Sequence, residues 1–125
     1  MKSILCVLVV SVFCGCASTP EELKAKPAGF DTFETNETPQ AVYRKIKTNA
    51  ERKYGGGHLL VTSDFWPESN SGEVSCISLA GVSRDFMFTV EIAQIDDKRT
   101  KVTTYYLLNT WKKIAREVRG WCNVD

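Results

Sequence analysis

The sequence predicts an α+β fold: a four-stranded antiparallel sheet, with a short extra N-terminal edge strand, flanked by an N-terminal and a C-terminal amphipathic helix in the order (β)αββββα. Three observations carry this. Runs rich in β-branched and aromatic residues succeed one another between residues 58 and 108, separated by short turn-forming stretches. Segments with helical spacing of apolar residues stand on either side of them. No internal repeat or low-complexity tract divides the chain.

Residues 30–35 hold two aromatics, Phe30 and Phe33, and read as the short edge strand. The first helix follows. Thr38 is an N-cap, Pro39 suits the first helical position and Gly55 suits the C-terminal cap. Val42, Ile46, Ala50 and Tyr54 recur every four residues and define its apolar face, with Tyr43 beside it. Gly55-Gly56-Gly57 then breaks the chain.

The four strand runs are 58–66, 73–80, 85–95 and 100–108. Their short connections favour an antiparallel meander. In the third run Phe86, Phe88, Val90 and Ile92 share one face by alternation, as do Val102, Thr104, Tyr106 and Leu108 in the fourth. The second helix begins near Asn109 or Thr110. Trp111, Ile114, Ala115 and Val118 form its core-facing stripe, and Gly120 is expected to end it early. Two such helices cover only one face of the sheet well. In order of elements alone, the layout resembles helix-grip domains, including those of some outer-membrane assembly lipoproteins.

The amino terminus has a different character. Met1 and Lys2 precede an uncharged apolar run, Ile4 to Phe13, and a patch of small residues around Gly15. That order is the pattern of a secretory signal peptide, about half the roughly 20 residues needed to span a bilayer. Phe13-Cys14-Gly15-Cys16 resembles the lipobox of bacterial lipoproteins. The resemblance implies that Cys16 receives a diacylglycerol thioether and becomes the mature N-terminus, with membrane binding through its acyl chains (palmitate among them). Phe13 departs from the usual Leu, Val or Ile. Ala17 stands where an aspartate would resemble an inner-membrane retention signal, so the resemblance implies outer-membrane placement facing the periplasm in a diderm. The expected organisation is 1–15 signal peptide, 16–29 lipidated cysteine and flexible tether, and 30–125 a single α+β domain. The tether expectation rests on two prolines, several charges and little hydrophobicity in residues 17–29.

Charge is balanced, with Lys+Arg 16 against Asp+Glu 15, which gives no global field for nucleic acid. Of five cysteines, Cys6 and Cys14 fall in the signal segment and Cys16 is the lipid acceptor. Cys76 and Cys122 remain, and an even pair in an exported domain is expected to form a disulfide. Such a bridge would close a loop of about 46 residues and stabilise by about 4 kcal/mol. Too few soft ligands remain for a zinc site, and no cofactor is implied.

Candidate chemistry is sparse. His58, the single histidine, would act as a general base of a hydrolase only with a carboxylate in reach, Asp64 being the nearest in sequence. Asp64, Glu68 and Glu73 surround a turn, where acidic residues are ordinary. The triple glycine lacks the Lys-Ser/Thr of a phosphate loop. Basic outer faces on both helices suit anionic lipid or an acidic envelope polymer. Trp66, at a strand end beside Pro67, is the expected exposed aromatic. Phe86, Phe88, Tyr106 and Trp111 would line a small apolar or lipid-ligand site between sheet and second helix. The leading expectation is a non-enzymatic, lipid-anchored envelope module that binds or assists a protein partner.

Overall fold

The computed structural model describes residues 17–80 and 84–124; the signal-like segment and Cys16 lie outside the described residues. The elements run α1 (Pro20–Ala25), β1 (Gly29–Thr35), α2 (Pro39–Tyr54), β2 (Leu59–Trp66), β3 (Ser71–Ser78), β4 (Asp85–Asp96), β5 (Arg99–Tyr106) and α3 (Lys113–Trp121), the last preceded by a 3-10 turn at Asn109–Trp111. The sheet is open, five-stranded and antiparallel throughout, in the order β1-β5-β4-β3-β2. The expected meander is therefore present, and the short edge strand is a full member of the sheet, paired from Gly29↔Tyr106 to Thr35↔Thr100.

The first predicted helix, α2, forms as its caps dictate. The Thr38 hydroxyl accepts from the Ala41 amide at 3.2 Å, Pro39 occupies the first turn, and Val42, Ile46, Ala50 and Tyr54 are all buried. The chain then turns through positive φ at Gly56 and Gly57, a backbone that side chains resist. α2 lies over β2, β3 and β4, and α3 over β5 and β1. Together they seal a core of Val74, Cys76, Phe88, Val90, Ile92 and Val102 with Ile114 and Val118.

Gly120 does not end α3, which continues to Trp121 and is closed by the Cys122 amide. A Cβ added at Gly120 meets nothing within 4 Å. Gly120→Ala should therefore stabilise the domain by about 0.5–1 kcal/mol, because alanine lowers the entropy of the unfolded chain without a clash. Chemical denaturation reads this directly, and an unchanged or lower midpoint would contradict it.

Three expectations are corrected. Cys76 and Cys122 are free thiols, both buried in the same core. Cys76 sits on β3, two strands and so roughly 10 Å from β5, where α3 packs. α2 stands over β3, and a bridge needs Cα atoms within about 7 Å. Second, Phe86 does not share a face with Phe88. A β-bulge between Cys76 and Ile77 pairs Cys76 with Phe88 but Ile77 with Phe86, so alternation slips by one residue. Third, the segment expected to be a tether carries α1 and is folded onto the sheet face that α2 and α3 leave free.

Candidate functional site

That second face, opposite α2 and α3, holds the most distinctive arrangement of polar groups in the domain. α1 begins with a capping motif read off four residues. The Thr19 hydroxyl accepts from the Glu22 amide at 3.1 Å, and Glu22 Oε1 accepts from Ser18 N and Oγ at 2.7 and 2.8 Å. These bonds hold the Glu22 carboxyl below the usual range, the Ser18 hydroxyl foremost. The helix is too short to persist alone and is fixed by what it buries. Ala17 and Leu23, at 1% and 0% exposure, pack with Met87 and Leu107, flanked by Phe86, Tyr105 and Trp111. The Ala17 carbonyl accepts from Phe86 N at 2.7 Å.

Its next residue after Leu23 makes the electrostatic link. Glu73 on β3 and Glu91 on β4 are direct cross-strand partners, an arrangement that repels. Lys24 Nζ reaches both, at 2.6 Å to Glu73 and 2.9 Å to Glu91. Burial pushes the Lys24 ammonium down, but hydrogen bonds and charge from both carboxylates outweigh it and hold it above the ordinary lysine range. Lys24 is thus a permanent cation and no nucleophile. Asp64 on β2 extends the acidic row as the register partner of Glu73. Below it, Ser75 Oγ and Thr89 Oγ1 share a buried hydrogen bond of 2.8 Å.

Beside α1 opens a cleft of about 460 Å³ lined by Glu21, Lys24, Trp66, Ser71, Glu73 and Ala93 among others. Trp66 is 42% exposed at its edge, as its position beside Pro67 implied. An aromatic plate next to fixed charges and a hydroxyl suits a ligand or partner that stacks and hydrogen-bonds.

The other proposed contact residues are not gathered with Trp66. Phe88 and Tyr106 are buried under the helices, whereas Phe86 packs under α1. Trp111 is half-buried and touches both clusters. Between sheet and α3 the space is taken by rings: Tyr54, Phe88 and Trp111 lie at mutual centroid distances of 5.3–5.7 Å. The expected four-residue lining of one apolar site is therefore split across two faces. His58 is exposed at the start of β2, while Asp64 lies six residues on, about 20 Å along the same strand, so that pair cannot cooperate. Among the described residues, no three His, Cys, Asp or Glu side chains gather as a metal would require, and no helix is long and apolar enough to cross a membrane.

Lys24, Glu91 and Leu23 were missed by sequence reasoning. The signal that could have found them is Thr19-Pro20-Glu21-Glu22, a capping box with proline at the first helical position. Lys24→Ala should weaken the docking of α1 by about 1–2 kcal/mol, since two facing carboxylates lose their shared partner. The expected readout is faster hydrogen exchange at the Phe86 amide with no change at Val90; equal acceleration at both would show that α1 is not a separable unit.

Compared with known proteins, the chain matches no protein-family model, no curated protein and no solved structure.

Proposed function

We propose that this chain is a lipid-anchored module of a bacterial envelope that works by binding a protein partner rather than by catalysis. The observation that carries the reading is Phe13-Cys14-Gly15-Cys16, which resembles a lipobox and directly precedes Ala17 in the sequence. Acylation of Cys16 would hold the protein at the membrane, since two or more acyl chains give stable anchoring. Alanine at position 17 favours the outer membrane, with the domain in the periplasm. The cleft between α1 and Trp66 is the surface this reading assigns to the partner. Its lysine is held charged and ion-paired between two carboxylates, which favours recognition over acid–base chemistry.

Metabolic labelling with a fatty acid tests the anchor. Wild-type protein is expected to carry the label, and Cys16→Ser to lose it and leave the membrane fraction. Unchanged labelling of Cys16→Ser would remove the reading. For the binding half, the native lipoprotein is purified from solubilised membranes alongside Trp66→Ala. A partner present with the first and lost with the second supports the cleft, and equal recovery places the contact elsewhere.

A further inference from the structure

We infer that one end of the sheet is a membrane-docking surface, so that the domain stands on an anionic phospholipid bilayer in a fixed orientation rather than swinging on a tether. The inference rests on the anchoring reading and adds what the folded domain does at the bilayer.

Chain continuity comes first. Ala17 is buried and its carbonyl is bonded to Phe86 N, at the start of β4. The Cα of the preceding residue, Cys16, is only about 3.8 Å away by covalent geometry. An acyl group on Cys16 is therefore joined to the domain one residue before the buried Ala17, at that end of the sheet.

The surface chemistry agrees. Exposed apolar side chains collect at the same end. Leu60 is the second residue of the edge strand β2, Leu79 follows β3 with its amide bonded to the His58 carbonyl, and Leu108 follows β5; they are 40%, 41% and 44% exposed. Phe30, 65% exposed on the β1 edge, shares a cleft with Lys112 and Arg116. Cations surround them. Arg52 and Lys53 close α2, Arg84 precedes β4, and Lys112 and Lys113 open α3. Most carboxylates of this end are already engaged: Glu117 is tied to Lys53 at 2.6 Å, Asp31 to Arg119 at 2.7 Å, Glu51 to Lys47 at 3.3 Å and Glu22 to Ser18, while Asp85 begins β4. At the far end the balance reverses, with Glu34, Asp64, Glu68, Asp96 and Asp97 all exposed against Lys98, Arg99 and Lys101. A dipolar domain with an apolar rim at its positive end is oriented by anionic head groups.

The test uses the full lipidated chain in vesicles of phosphatidylethanolamine and phosphatidylglycerol. A photoreactive phenylalanine analogue replaces Leu79, Leu108 or Ile95, the last an exposed residue (39%) near the far end of β4. Lipid adducts are expected at positions 79 and 108 and absent at 95. Hydrogen exchange of the unsubstituted chain on the same vesicles, against detergent, is expected to show new protection after β3 and β5 and none at the Asp96–Arg99 turn. Equal adducts at both ends, or protection at neither, in a chain that carries its acyl label and sediments with vesicles would overturn the docking surface and leave the anchor standing. A chain without acyl label that stays in solution would overturn the anchor and this inference with it.

Discussion

Phe88→Ala is expected to destabilise the domain by about 3–5 kcal/mol, a large part of the stability of a single small domain. Phe88 has no exposed surface and sits mid-sheet, paired with Cys76 on one side and Tyr106 on the other. Its ring meets those of Tyr54 and Trp111, so truncation opens a cavity under the junction of α2 and α3. Lys112→Ala, on the exposed side of the same junction, is expected to stay within about 0.5 kcal/mol. Urea denaturation of both variants checks this. Comparable small losses at the two positions would mean that the core does not close around Phe88.

Raising the pH above 9 is expected to unfold the protein progressively, with no counterpart on mild acidification to pH 6. Burial pushes the Cys76 and Cys122 thiols up to about 11 from an ordinary 9.0. In that window the folded chain keeps protons that the unfolded chain has released, so stability falls as pH rises. Each thiol contributes on the order of 2 kcal/mol to the loss. Two further groups act in the same sense at higher pH. The Tyr54 phenol, which donates to a Glu117 carboxylate oxygen, is raised by burial and by that carboxylate. Lys24 is raised by Glu73 and Glu91 against its own burial, and its ion pairs are lost when it deprotonates. The midpoint of urea denaturation is expected to be flat from pH 6 to 8.5 and to fall steadily to pH 11, with a shallower fall in Cys76→Ala. Thiol titration of the denatured mature lipoprotein, in which the Cys16 sulfur is held as a thioether, should count the two core thiols without any reductant; their absence in a monomer would restore the disulfide and remove the alkaline slope.

What the sequence revealed divides along physical lines. α2 was legible end to end because caps and four-residue periodicity are local signals, and Thr38, Pro39 and the Val42-to-Tyr54 stripe suffice without knowledge of any neighbour. The strands were legible for the same reason, to within a residue or two. α1 was not, because six residues with one buried side chain, Leu23, give no period to detect. The bulge at Cys76 and Ile77 was invisible for another reason. Alternation is a rule about one strand, and the slip that sends Phe86 under α1 is a property of two. β3 hid its orientation as well, since Ser75 and Ile77 are buried on one face as completely as Val74 and Cys76 on the other. The disulfide expectation failed because compartment and parity say nothing about distance. Of the candidate site, Trp66 was identified on the strength of Pro67 beside it, but the Lys24–Glu73–Glu91 contact joins residues nearly seventy positions apart and has no linear signature.

The pairing of β1 with β5 also sets an order of events. β2 to β5 follow one another in the chain with short connections and pair as neighbours, so each pairing has only a small loop to close. β1 finds its partner across the whole meander, Gly29 with Tyr106, and α1 then needs both β4 and β5 in place beneath it. A chain emerging amino end first thus presents its first strand and first helix well before anything exists to receive them. This topology predicts an assembly that runs backwards along the sequence, with the C-terminal hairpin as template and the N-terminal residues arriving last. A long-range closure of this kind slows folding, and the exposed edge of β5 is the surface at risk of wrong pairing while it waits.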